Sequence, residues 1–211
     1  MKKKVLEFCK ANKWMLLTFL LVWLPLFIFD CIYPKLQTHL MMNGLHTPAL
    51  DTFFKYVTHL GEGFGAYLGV FILFWSRRKG LFILLGQGLT CLITQILKFA
   101  FAHPRPATFF DQMGADLPET VPGVSLRRAF NSFPSGHTSA AFALFTCLAL
   151  MTPRKWAPLW ITAGWAVAYS RIYLSQHFLE DILLGSVIGM LSSCIVYMFL
   201  EKYYSKKQLG E

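Results

Sequence analysis

Eight residues of this sequence are of types that together could manage a phosphate: Lys98, Arg105, Ser135, Gly136, His137, Arg171, His177 and Asp181. An Arg fork matches phosphate oxygens, and Lys adds a compact charge. Ser135 and Gly136 precede His137 at an expected helix start, where backbone N–H groups can cradle an anion with help from the helix dipole. Gly136 lets the backbone come close. Two histidines can supply a nucleophile and a general acid. His177 and Asp181 stand four apart, so on a helix they share a face. Asp181 can then accept from one ring nitrogen of His177 and leave the other as a nucleophilic lone pair, the orienting logic of catalytic triads.

Taken singly, each feature has an ordinary explanation. A lone Lys or Arg at a membrane surface snorkels, a His–Asp pair at this spacing is commonly structural or metal-binding, and Pro134-Ser135-Gly136 alone is a turn. Their joint occurrence at one depth makes them a site. Glu62, between Gly61 and Gly63, and His103, before Pro104, are further candidates for it. His39, His46 and His59 read as surface residues, and Asp111, Asp116 and Glu119 as solvated loop charges. Cys9, Cys31, Cys91, Cys147 and Cys194 show no disulfide or zinc spacing and read as small buried hydrophobes.

The elements that must position these residues are membrane helices. The chain has 211 residues, is 55% hydrophobic and only 15% charged, against about 25% charged in soluble domains. Continuously apolar runs fall at 14–33, 57–75, 80–102, 136–152, 156–173 and 180–200, the second and fourth being short for the ~20 residues a crossing needs. Unbroken apolar runs predict helices, not a barrel. The expectation is an all-α bundle of six transmembrane helices forming one domain over 1–211. The first run is too long for a signal peptide and lacks a small-x-small cleavage site.

The net charge of +9 sits mostly in clusters beside the runs: Lys2, Lys3, Lys4, Lys10 and Lys13; Arg77, Arg78 and Lys79; Arg154 and Lys155; Lys202, Lys206 and Lys207. Six spans put all four clusters on one side, which the positive-inside rule makes cytoplasmic, with both termini inside. This distribution excludes a nucleic-acid stripe. Segments 34–56, 103–135 and 174–179 then lie outside, where Lys35 and Lys55 occur only singly. Segment 34–56 is expected as a short interfacial helix, and 103–135, rich in proline, as a long functional loop. Arg127 and Arg128 there run against the charge bias, as an anion-binding loop would. The topology, derived from other residues, brings the eight candidates to the outer face.

At this point the sequence resembles a known family. Lys98, six residues, then Arg105-Pro106 is similar to the first signature of the type 2 phosphatidic acid phosphatases. Pro134-Ser135-Gly136-His137 resembles the second, and Ser170-Arg171, five residues, His177, three residues, Asp181 the third. The resemblance implies that His177 attacks phosphorus, Asp181 orients it, and His137 protonates the leaving oxygen and then assists water. It implies that Lys98, Arg105, Arg171, Ser135 and Gly136 bind phosphoryl oxygens. Three cations would do the neutralising often done by magnesium, so no metal and no cofactor is implied. Vanadate-dependent haloperoxidases share this site but are soluble. The implied enzyme is a metal-independent lipid phosphatase of a bacterial inner membrane, multi-pass, its active site facing the periplasm. Its implied partners are a lipid phosphate substrate and membrane lipids, with no nucleic acid and no obligate protein partner. Undecaprenyl diphosphate is the first expected substrate, ahead of phosphorylated lipid A, phosphatidylglycerol phosphate and phosphatidic acid. A lipid-to-lipid phosphotransferase or a non-catalytic membrane protein are the alternatives from other classes.

Overall fold

The computed structural model describes residues 2–118 and 120–208; Met1, Glu119 and residues 209–211, and the side chains of residues 204–208, Ser205, Lys206 and Lys207 among them, fall outside what it describes. The described residues are all-α, with no strand. Helices run α1 (Lys2–Ala11), α2 (Lys13–Ile32), α3 (Lys35–Asn43), α4 (Pro48–Val57), α5 (Phe64–Leu73), α6 (Arg77–Phe101), α7 (Pro106–Met113), α8 (Gly136–Met151), α9 (Ala157–Tyr173) and α10 (Leu179–Gln208).

Four of the expected spans match α2, α6, α8 and α9 to within a few residues, and α10 extends past the sixth. By length and composition α2, α6 and α10 can cross a membrane, while α5 and α8 are shorter apolar helices. The span expected at 57–75 is not one helix. A 3-10 turn, Thr58–Gly61, follows α4, and Gly63 sits in the left-handed region at φ +88° before α5 begins. Glycine takes that conformation without the Cβ clash that disfavours other residues, so apolarity alone hid the break. Helix α5, with 10 residues, rises about 15 Å, roughly half the hydrocarbon core.

The chain is built outward from α8. Its neighbours are α10, α9 and α6, and it is buried along its length, from Thr138 through Phe142 to Ala149. Phe142 meets Phe19 of α2 edge-on at 5.6 Å and Trp165 of α9 at 5.0 Å. Helix α10 approaches α8 closely at Gly185 and Gly189, one turn apart. A Cβ at Gly185 would stand 2.8 Å from the Ser135 carbonyl oxygen, and one at Gly189 would stand 2.8 Å from Phe142 Cβ. This small-xxx-small contact lets two backbones pack where lipid offers no hydrophobic drive. Meanwhile Leu17, Leu21 and Leu24 of α2, Leu92, Ile96 and Phe99 of α6, and Leu191, Ile195 and Phe199 of α10 point outward and are exposed. Apolar residues facing out around a partly polar interior fit lipid as solvent. Cys31 and Cys91 are exposed on such faces, against the expectation of burial; Cys147 and Cys194 are buried.

Segment 34–56 forms two helices packed on the bundle, not one helix lying on its surface. Asn43 donates through Nδ2 to the carbonyls of Ile172 and Tyr173, at 3.1 and 2.7 Å, and so caps α9 from below its end. His39 is correspondingly buried, not a surface residue. Its Nε2 lies 3.3 Å from Ser175 Oγ, and its ring meets Phe110 and Phe178 edge-on. The His46 side chain is also largely covered and pairs with Asp51 at 2.9 Å, while His59 is exposed as expected. The 103–135 loop is more ordered than its prolines suggest. It contains α7, which starts with Pro106 in the first turn, where a missing N–H costs nothing. Val121 packs with Tyr173 and Leu174, and Gln176 Nε2 donates to the Ser125 carbonyl at 3.1 Å.

Candidate active site

The site forms where the N-termini of α8 and α10 meet the C-termini of α6 and α9. The Ser135 N–H donates to the Asp181 carbonyl at 3.0 Å, which ties two of the expected signature segments together. Asp181 Oδ2 accepts from His177 Nδ1 at 3.1 Å, from Ser132 Oγ at 2.5 Å and from the Phe178 N–H at 2.9 Å. Both partners of the His–Asp pair are essentially inaccessible. Three donors on one carboxylate oxygen fix its position and with it the His177 ring. With Nδ1 so engaged, Nε2 is the nitrogen left with a lone pair. His177 is held well below its ordinary pKa, first by burial and then by Arg105, Arg171 and Lys98. It is therefore a neutral imidazole near neutral pH, which is what a nitrogen nucleophile requires.

The three candidate cations lie close enough to act on one another. Arg105 is buried; its Nε donates to Asn131 Oδ1 at 2.7 Å and its Nη1 to the Gln176 carbonyl at 3.1 Å. Arg171 is buried; its Nη1 donates to Thr58 Oγ1 at 2.5 Å, and its Nε has no acceptor among the described residues. Lys98 Nζ donates to the Asn131 carbonyl at 2.5 Å. Each cation is thus aimed by neutral oxygens, and none is directly paired with a carboxylate among the described residues, an arrangement suited to an anion.

Ser135 is the N-cap of α8 and is fully buried. Its Oγ accepts from the Thr138 N–H at 3.4 Å and from the Thr138 hydroxyl at 3.0 Å. Its lone pairs and its N–H are therefore spent on the fold, and only its own hydroxyl proton remains to offer. Gly136 opens α8, where backbone donors lack helical partners; a Cβ there would meet nothing nearer than Lys98 Cε at 3.9 Å. His137, in the same turn, has Nε2 3.1 Å from Glu62 Oε1, so Glu62 does reach the site. His103 does not point into this cluster by its contacts. Its ring packs on Phe133 and its Nδ1 is 3.7 Å from Glu180, while its carbonyl accepts from the Ser132 N–H at 3.0 Å. It shapes the loop. Arg128 is paired with Asp111 at 2.7 Å, whereas Arg127 is exposed. Among the described residues no three His, Cys, Asp or Glu side chains gather as a metal site would need.

Asn131, Ser132, Thr58 and Gln176 are site residues that the sequence reading missed. Asn131 and Ser132 lie just before the Pro134-Ser135-Gly136-His137 segment, so proximity in the chain was a usable signal. Thr58 and Gln176 gave none, because the first acts from a break inside an apolar run and the second through its backbone.

The family model of the PAP2 superfamily matches residues 79–205, a stretch that contains all three signature segments. A lipid A 4′-phosphatase of Porphyromonas gingivalis is 30% identical over 164 residues, covering 75% of this chain and 69% of that protein. The crystal structure of Aquifex aeolicus LpxE superposes with a TM-score of 0.68 at 25% identity, over 79% of this chain and 97% of that one. A transmembrane PAP2-type phosphatidylglycerolphosphate phosphatase from Bacillus subtilis shares the fold, with a TM-score of 0.61 at 23% identity, over 88% and 96%. Family match, outward apolar helices and a shared transmembrane fold agree: this chain is a membrane protein, belongs to the PAP2 superfamily and is a phosphoric ester hydrolase of that family.

Proposed function

We propose that the chain, as one domain over 1–211, removes phosphate from a membrane lipid through a phosphohistidine. The buried Asp181–His177 pair beside three cations held by neutral oxygens carries this reading. His177 Nε2 attacks phosphorus, and the bond from phosphorus to the lipid oxygen breaks as His137 gives that oxygen a proton. A water then attacks the phosphohistidine, its proton passes to His137, and the P–N bond breaks to release phosphate. Lys98, Arg105 and Arg171, with the Ser135 hydroxyl and the Gly136 backbone, stabilise the charge that spreads over the phosphoryl oxygens. On this reading the chain crosses the inner membrane six times with both termini in the cytoplasm, and the site faces the periplasm. The opposite ends of α6 and α8, at Arg77–Lys79 and Arg154–Lys155, support that orientation.

The proposed substrate is a phosphorylated lipid A, because the Porphyromonas relative that aligns over most of both chains carries that activity in its name. Undecaprenyl diphosphate, first from the sequence, becomes the second reading. The exposed Arg127 beside Arg105 favours it, as a fourth cation suited to a second phosphate.

The test is purified protein with a panel of both lipids, phosphatidylglycerol phosphate and phosphatidic acid, measuring free phosphate and lipid products together with acid-quenched phosphoenzyme. Hydrolysis should release phosphate, His177→Ala should abolish the phosphoenzyme, and Asp181→Asn should cost about 10⁴ in turnover if the protease aspartate is a guide. Phosphate appearing on a second lipid would make the chain a transferase, and undiminished trapping in His177→Ala would overturn the mechanism.

A further inference from the structure

The site holds a second carboxylate–histidine pair, and the turn that carries it is shaped for that purpose. Glu62 Oε1 lies 3.1 Å from His137 Nε2, and Glu62 Oε2 lies 2.6 Å from His59 Nδ1. The glycines on either side of Glu62 make the approach feasible. A Cβ at Gly61 would stand 2.7 Å from the His137 carbonyl oxygen and 3.0 Å from His137 Cβ, so only glycine allows the turn to lie against His137. Gly63, at φ +88°, reverses the chain immediately afterwards. The same turn supplies Thr58, whose hydroxyl accepts from Arg171. One short segment thus touches both a phosphate-binding cation and the second histidine.

We propose that Glu62 is the positioning carboxylate of His137, with the exposed His59 fixing Glu62 in turn. This rests on the general-acid role proposed for His137. Glu62 accepts from Nε2, so Nδ1 is the nitrogen that gives its proton to the leaving lipid oxygen and regains one from the attacking water. The proton lost in the first half-reaction returns in the second, so Glu62 ferries nothing. It holds the ring and stabilises the imidazolium that enters the first half-reaction and is restored by the second, the ring being neutral in between. The charge balance at His137 makes this support necessary. Arg171 from α9, Arg127 from the outer loop, Lys98 from α6 beside Gly136, and His177 face the same space, and Glu62 is the anion among them. The two histidines are then each oriented by a carboxylate: Asp181 sets the ring of His177, and Glu62 sets the ring of His137.

The experiment measures kcat and KM against pH for wild type, Glu62→Gln, Glu62→Asp and His137→Ala. Each is assayed with a lipid phosphate, whose alkoxide needs protonation, and with an aryl phosphate, whose phenolate does not. Glu62→Gln should lower kcat on the lipid about tenfold to a hundredfold, a share of the 10²–10⁴ typical of a general acid. KM should hold, and the loss on the aryl phosphate should be small. The alkaline limb of kcat should move to lower pH, since an imidazolium without its anion loses its proton more readily. Glu62→Asp should recover part of both effects, which a misfolded variant would not. An unshifted pH profile in Glu62→Gln, with His137→Ala showing the leaving-group dependence, overturns this inference alone. No leaving-group dependence in His137→Ala overturns the acid assignment and this inference with it.

Discussion

The Ser135 N–H and the Asp181 carbonyl oxygen are hydrogen-bonded at 3.0 Å, so the starts of α8 and α10 are bonded at the level of the backbone. That bond depends on how closely the two helices approach below it. Gly189 has no room for a side chain between Ser139, Phe142 and Ala143. Gly189→Leu should therefore cost more than the roughly 1–3 kcal/mol typical of overpacking, because backbone stands in the way and cannot rotate aside. Thermal unfolding in detergent should show a lowered Tm, with activity falling in parallel. A variant of unchanged Tm and full activity would mean that the helices part without disturbing the site.

His177 sits well below its ordinary pKa of 6.5, chiefly through burial and then through Arg105. The sign follows directly. The folded protein holds a neutral ring where the unfolded chain would take up a proton, so this group's contribution is present above pH 6.5 and is lost as pH falls through the folded value. Replacing Arg105 by Gln removes a nearby positive charge and should raise the His177 pKa. Nitrogen-15 NMR of the histidine rings in micelles reads this directly. A titration in Arg105→Gln at or below the wild-type value would contradict the electrostatic picture.

Charge neutralisation by Lys98, Arg105 and Arg171 predicts that activity survives excess EDTA. Vanadate, which adopts the five-coordinate geometry of phosphorus in transfer, should inhibit competitively. Loss of turnover in chelator, restored by one divalent metal, would refute the cation-only mechanism.

The site was legible in sequence to the extent that its residues carry unusual chemistry in apolar surroundings. Lys98, Arg105, Arg171, His137, His177 and Asp181 stood out because ionisable groups are expensive beside lipid, and the structure brings all six together. Neutral partners could not stand out in the same way. Asn131 and Ser132 are ordinary loop residues until Arg105 and Asp181 are seen to bond to them. The fold behaved similarly. Long apolar runs located α2, α6 and α10, but the break at Gly61–Glu62–Gly63 and the burial of His39 depend on partners distant in the chain, which periodicity does not encode.

Six spans with the site outside predict the accessibility of two serines. In a background without the native cysteines, Ser125→Cys should react with an impermeant thiol reagent added outside intact spheroplasts. Ser205→Cys should react only once the membrane is opened. Labelling of both from one side would overturn the six-span topology.

Asn131 holds two cations at once with different atoms: its carbonyl accepts from Lys98 and its Oδ1 accepts from Arg105. Substitution separates these functions. Asn131→Ala keeps the backbone acceptor and loses only the Arg105 contact. Arg105 keeps its second bond to the Gln176 carbonyl, so the guanidinium should tilt without leaving. A hydrogen bond to a charged group contributes roughly 1.5–3 kcal/mol, which predicts about a tenfold or greater loss of kcat/KM and a similar weakening of vanadate inhibition. Asn131→Asp keeps the shape and the acceptor but adds a negative charge beside two of the cations proposed to hold the phosphate. It should bind Arg105 more tightly and the substrate far less, so its loss should exceed that of alanine. If the aspartate variant were the more active of the two, Asn131 would matter for holding Arg105 in place and not for keeping its charge available to the phosphate.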